Sequence, residues 1–231
     1  MYSKVEFEVF PDGISNREAK QVIADRLAGS AESGQTIGAG SGSTAFLAVH
    51  SIARRVKAGE LEGITLVPTS IEIEMTIASL GLQVGGLFSA EPDWLFDGAD
   101  EVDPGGNLIK GRGGALFREK LLFKSTSDRR VLVDASKYVD QLGSKFKVPV
   151  EIVPGTLPVV MPELEALGAL DPEIRTGSGK DGPVITELGN LIVDCRFDGI
   201  AADLELKIKS ITGVIESGLF QGYEPTLVEA G

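Results

Sequence analysis

Residues 36–68, TIGAGSGSTAFLAVHSIARRVKAGELEGITLVP, carry the pattern that decides the fold. TIGAG reads as a short strand, a helix follows from about Ser43 to Val56, and ITLVP is a second strand. Strand, crossover helix and strand in this order imply two parallel strands. The alternation continues downstream. SIEIEMTIASLG is helical and closed by Gly81, LQVGGLF and DWLFD are strands, GALFREKLLFK is a helix and RRVLVDAS a strand. Upstream, SNREAKQVIADRLAGSA carries a helical period with Ser15 and Asn16 as candidate caps. Val5, Phe7 and Val9 alternate with polar residues, which predicts a short strand before PDG. The expected class is α/β: an open, mostly parallel Rossmann-like sheet with helices on both faces.

After SKFKVPVEIVP the texture changes. LPVVMPELEALGAL is helical, PVITELGNLIVDCRF predicts a hairpin turning at Leu188–Asn190, DLELKIKSITG is helical and VIESGLF closes as a strand. This is a small α+β, ferredoxin-like second domain over 146–221, with 1–145 and 222–231 forming the Rossmann-like domain.

A hydrophobic content of 42% is enough for a proper core. The net charge of −12 and the pI near 4.6 argue against a nucleic-acid or anionic-membrane partner. No apolar run is long enough for a transmembrane helix, and MYSKVEFEVF lacks the layout of a secretion signal. Cys195 is the only cysteine and fits a reducing compartment, so a soluble cytoplasmic protein is expected.

Four strands end in polar clusters: GSGST after Ile37, PTS after Val67, DGAD after Phe96 and DASK after Val133. Ligands of open parallel sheets bind outside the carboxyl ends of the strands, so four segments point to one site. Any single cluster is equally well an ordinary polar loop. GAGSGST lacks the third glycine of a dinucleotide fingerprint and the lysine of a P-loop. What remains is a glycine turn into a helix, with Ser41, Ser43 and Thr44 hydroxyls beside free N–H groups. Such a turn suits one phosphate, although a simple capped helix start uses the same residues.

Residues 95–120, LFDGADEVDPGGNLIKGRGGALFREK, concentrate five acidic and four basic side chains among glycines. Gly111, Gly113 and Gly114 let backbone approach a ligand. Leu116, Glu119 and Phe123 fall on one helical stripe, which predicts Glu119 in an otherwise apolar seam. Desolvation there would disfavour its charged form and suit a general base; a salt bridge to Arg118, Lys120 or another neighbour is the plainer use. Asp97, Asp100, Glu101 and Asp103 do not follow calcium-loop spacing. His50 and Cys195, each alone of its kind, make zinc or a serine–histidine triad improbable.

Taken in order, GSGSTA, VPTS, FDGADEVDP, LIKGRGGALFREK, VLVDASKYVDQLG, KFKVPVEIVP and GVIESGLF closely resemble the A-type ribose-5-phosphate isomerases. The resemblance spans about residues 20–221. It implies an enzyme of the pentose phosphate pathway that interconverts ribose 5-phosphate and ribulose 5-phosphate through an enediolate, with no metal and no cofactor. A homodimer or homotetramer is implied too. By motif, Glu119 becomes the base moving a proton between C1 and C2. Asp97 assists ring opening and hydroxyl proton transfers, and Lys110 steadies the enediolate oxygen, with the Gly111, Arg112 and Gly113 amides near it. Asp100 binds sugar hydroxyls or orients Lys110. Ser41, Gly42, Ser43 and Thr44, together with Gly98, Ala99, Lys137 and Lys20 of the first helix, complete the substrate shell. Arg112 stands where the family carries glycine in KGGG, TELGN replaces TDNGN, and the first dozen residues are an extension.

Three other readings share parts of this pattern. A sugar-phosphate sensor would keep the phosphate loop without a base, but no basic helix-turn-helix module is evident. Acyl-CoA transferases and amino-sugar-phosphate deaminases share the general fold, and the ordered DGAD…IKG…REK series sets them apart.

Overall fold

The structure is a computed structural model that describes residues 9–10, 13–89, 91–179 and 181–230. In chain order its elements begin with α1 (Arg17–Gly29), β1 (Thr36–Ala39), α2 (Ser43–Lys57), β2 (Thr65–Pro68), α3 (Ile71–Ser79), β3 (Gln83–Val84) and β4 (Trp94–Gly98). Next come β5 (Glu101–Val102), β6 (Leu108–Ile109), α4 (Leu116–Ser125), β7 (Arg129–Leu132) and β8 (Val148–Ile152). The chain finishes with α5 (Leu157–Ala166), β9 (Ala169–Ile174), β10 (Leu191–Phe197), α6 (Leu204–Lys209), β11 (Val214–Ser217), β12 (Leu219–Phe220) and β13 (Thr226–Val228).

Two compact units result. The first comprises Met1–Gly98, Leu121–Ser136 and Pro225–Gly231. Its sheet has the order β13-β7-β4-β1-β2-β3, and every neighbouring pair is parallel. β1, β2 and β4 are buried almost throughout, as parallel strands covered on both faces must be. The strand order reverses between β1 and β4, which is the topological switch point of a doubly wound sheet. On α1 the buried residues Lys20, Ile23, Ala24, Leu27 and Ala28 recur at helical spacing and pack the helix onto α2. Ile37, Leu66, Trp94 and Phe96 of the strands join Leu47 and Ile52 of α2 in the core.

The second unit comprises Ala99–Lys120 and Lys137–Glu224. β8-α5-β9-β10-α6-β11 forms a four-stranded antiparallel sheet in the order β11-β8-β10-β9, the ferredoxin-like arrangement. Val148, Val150, Ile152, Val193 and Cys195 pack there against Val160, Leu164 and Ile208 of the helices. A second, three-stranded sheet has the order β12-β6-β5. Because β6 pairs with both β5 and late β12, residues 99–120 group with the second unit. The buried Glu101 carboxylate reinforces this by accepting the N–H groups of Gly143, Lys145 and Phe146, each at 2.6 Å.

Several elements differ from expectation. The turn at 188–190 forms, but the arm before it contributes only bridges at Pro183 and Ile185. The full-length partners of β10 are β8 and β9. VIESGLF is two strands in two sheets, divided at Gly218. Asn16 caps α1 with a left-handed backbone (φ 51°) and makes no side-chain capping bond. The strand expected through Val5, Phe7 and Val9 lies largely outside the described residues. The tail does return to the first unit, as β13.

Cys195 is fully buried on β10, and burial, helped by the Asp194 charge, pushes its thiol up to about 12. Native protein at pH 8 is therefore expected to resist alkylation and to be labelled fully once unfolded. Intact mass after a timed reaction checks this; labelling of native protein at the rate of a free thiol would contradict it.

Candidate active site

In the first unit the sequence motifs meet at the switch point. β1 and β4 run side by side, with Ala39 opposite Phe96, and Gly40 N–H extends the pairing to Phe96 O at 2.8 Å. Asp97 follows, 1% exposed, and its Oδ1 accepts the N–H groups of Gly98 (2.7 Å) and Ser41 (3.2 Å). Gly40 makes room for it: a Cβ at position 40 would lie 2.3 Å from the Asp97 carboxyl. Ser41 Oγ lies 2.8 Å from Thr69 Oγ1 at the end of β2. Gly42, Ser43 and Thr44 then open α2, whose N-terminal N–H groups favour negative charge. The buried Lys20 ammonium reaches this turn, 3.0 Å from Ser43 Oγ and 3.3 Å from Ser15 Oγ. An ammonium beside a helix N-terminus joins two features of like sign, and an anion stabilises both.

In the second unit Lys110 leaves β6 with its N–H on Gly218 O at 2.9 Å. Gly218 is crowded as well, since a Cβ there would lie 2.2 Å from Lys110 O. Glu119 stands in the first turn of α4, and its Oε2 is 3.5 Å from Lys110 Nζ. The two side chains are 6% and 3% exposed. Glu119 is thus not isolated among apolar side chains; of the counter-charges open to it (Arg118, Lys120 or another neighbour), Lys110 is the one that pairs. Arg118 pairs with Glu187 at 2.9 Å instead. The neighbouring Lys120 ammonium is buried between Glu205 (2.8 Å) and Glu216 (3.1 Å), over the Phe220 ring. That anchor turns the helix so that Glu119 faces Lys110.

The glycine loop between the two is tied on both sides. Asp100 Oδ2 accepts the Arg112 N–H at 3.1 Å, so Asp100 holds the loop itself. The Arg112 side chain is 73% exposed, with Nε 3.7 Å from Asp100 Oδ1 and the guanidinium 6.0 Å from the Phe146 ring. Arg175 binds the loop from the other side, donating to the carbonyls of Gly111 (3.1 Å) and Arg112 (2.9 Å). Ala99 is buried beside Asp100 in the chain. Lys137 sits half-buried in a short 3-10 turn, Ala135–Lys137, and its side chain makes no hydrogen bond or ion pair among the described residues. Among those residues no group of three or more His, Cys, Asp or Glu is arranged to hold a metal ion.

The family described as ribose 5-phosphate isomerase A (phosphoriboisomerase A) matches residues 65–231. The ribose-5-phosphate isomerase A of Thermosynechococcus vestitus is 44% identical over 207 residues, covering 88% of this chain and 87% of its own. The chain belongs to the ribose-5-phosphate isomerase A family. A Synechocystis member is likewise 44% identical over 206 residues, with 88% and 87% covered. Two solved isomerases share the fold. The Methanocaldococcus jannaschii enzyme superposes with a TM-score of 0.86 at 38% identity, covering 90% of this chain and 92% of its own. A second isomerase, solved in complex with phospho-erythronic acid, gives 0.87 at 36% identity, with 93% and 96% covered.

Gly40, Gly218 and Arg175 escaped the sequence reading as functional positions. Gly40 and Gly218 were visible only as glycines, because the crowding that demands them comes from elements distant in the chain. Replacing Gly40 by Ala should displace Asp97 while costing about 1–3 kcal/mol of stability, the usual range for overpacking. A loss of turnover well beyond that of Gly29→Ala, where the added methyl meets nothing within 4 Å, is the expected result. Steady-state assays with thermal melts of both variants decide it.

Proposed function

We infer that the protein interconverts ribose 5-phosphate and ribulose 5-phosphate through an enediolate. The observation that carries this reading is the buried Lys110–Glu119 pair. Moving hydrogen between adjacent sugar carbons needs a base for the C–H proton and a cation for the oxygen that becomes negative. Glu119 takes the proton from C2 of the open-chain aldose, and the electrons settle on the C1 oxygen. Returning that proton to C1, with transfer of the O2 hydroxyl proton to O1, gives the ketose. Lys110 has three N–H donors, enough to hold Glu119 and a substrate oxygen together. A placed base contributes about 10²–10⁴-fold and a fixed oxyanion donor about 3–4 kcal/mol. Asp97 serves ring opening and hydroxyl proton transfers, held in place by the N–H groups of Gly98 and Ser41. Ser41 to Thr44 and Lys20 take the phosphate, while Asp100 shapes the loop that carries the Arg112 and Gly113 amides. Gly98, Ala99 and Lys137 line the remaining sugar shell.

A sensor without catalysis is not favoured, because it would use the phosphate turn but not a buried base with its own cation. A four-carbon sugar acid phosphate, the ligand held by one relative, places a carboxylate where enediolate charge arises, and should act here as a competitive inhibitor. The lone buried cysteine supports a cytoplasmic setting. A homodimer or homotetramer is proposed on the family resemblance.

Purified protein should turn over ribose 5-phosphate equally well with and without EDTA; failure of well-folded protein to do so removes the metal-free reading. Glu119→Gln should bind substrate and lose at least about a hundredfold in kcat, the lower end for a general base. Near-normal turnover would pass the base role to another residue.

A further inference from the structure

Glycine-rich loops let peptide planes turn over at little cost, so something must decide which way the amides after Lys110 face. Two peptides of that loop are gripped by Arg175, just after β9, and by Asp100, just before β5. The Gly111–Arg112 peptide has its carbonyl on Arg175 Nη1 at 3.1 Å and its N–H on Asp100 Oδ2 at 3.1 Å. The Arg112–Gly113 peptide has its carbonyl on the same Nη1 at 2.9 Å. With both carbonyls turned toward the guanidinium, the N–H of Gly113 is directed away from it. Among the described residues that N–H meets no acceptor.

Arg175 is itself held firmly. Its Nε and Nη2 rest on the two carboxylate oxygens of Asp194, at 2.8 and 2.5 Å. Its backbone N–H donates to Ile192 O, and its carbonyl accepts from Val184 N, both at 2.8 Å. The two side chains are 17% and 16% exposed, so this forked pair is largely shielded from water. A cation bound to two successive carbonyls also polarises their peptides and strengthens the N–H groups at the far ends.

We propose that Arg175, oriented by Asp194, is a positioning residue for the isomerisation: it sets and polarises the Gly113 amide for the enediolate oxygen. The proposal rests on the reading that the loop after Lys110 faces that oxygen. It predicts an effect on developing charge and none on phosphate binding.

The test measures kcat, KM, thermal melting and two inhibition constants, for a phosphorylated four-carbon aldonic acid and for inorganic phosphate. Arg175→Gln should lower kcat by about tenfold to a hundredfold, less than the direct loss of an oxyanion donor, with KM little changed. Affinity for the aldonic acid should fall by a similar factor, and affinity for inorganic phosphate should stay. Arg175→Lys should restore only part, since an ammonium cannot hold the carboxylate fork and both carbonyls. If Arg175→Gln does not fold, Asp194→Asn should show the same signature in weaker form. Equal weakening of both inhibitors, or an unchanged kcat in folded variants, overturns the proposal. Lys110→Gln separates the two readings. Unchanged aldonic acid affinity in that variant refutes the placement of the loop; a loss there without one in the Arg175 variants refutes the positioning role alone.

Discussion

Lys110 and Glu119 are almost wholly withdrawn from water, and each compensates the charge of the other. Desolvating a single charge costs several kcal/mol, so removing one member leaves a penalty larger than the pair's own contribution. Much of the second unit serves to hold this pair in register. β6 is locked between β5 and β12, Lys110 N–H is fixed on Gly218 O, and the buried Lys120 cluster sets the rotation of α4. Phe220 presents its ring to both ammonium groups, 5.7 Å from Lys110 and 4.6 Å from Lys120. A buried pair of this kind contributes less to stability than an apolar core of equal volume often would.

The two units contribute different physics. The first uses the sheet's reversal, a helix N-terminus and Lys20 to make a positive turn on a chain whose net charge is strongly negative. Local geometry therefore overcomes an unfavourable overall field, over distances shorter than the Debye length. The second unit contributes the buried Lys110–Glu119 pair and the glycine loop held by Asp100 and Arg175. Asp97 and Asp100, three residues apart, fall one in each unit.

The parallel sheet was legible because its strands are short apolar runs separated by helices, as in 36–68, and periodicity reports such burial directly. β9 was not. Its sequence, ALDPEI, carries two acids and a proline and forms an exposed edge of the sheet, where neither alternation nor strand propensity is required. The turn at Leu188–Asn190 was readable from glycine and asparagine, but the partner of β10 depended on long-range pairing that no local signal encodes. The same limit applies to the site. Glu119 and Lys110 stood out in their motifs, whereas their contact did not, and Arg175 lies more than sixty residues from the carbonyls it binds.

β13 is the last strand of the six-stranded sheet to be made, and it pairs with β7, whose residues precede it by almost a hundred positions. Vectorial synthesis therefore produces every strand of the ferredoxin-like sheet while β7 still presents an open hydrogen-bonding edge. A nascent chain must keep that edge from other strands until residues 226–228 arrive, so the final stretch acts as a closing seam against aggregation during translation.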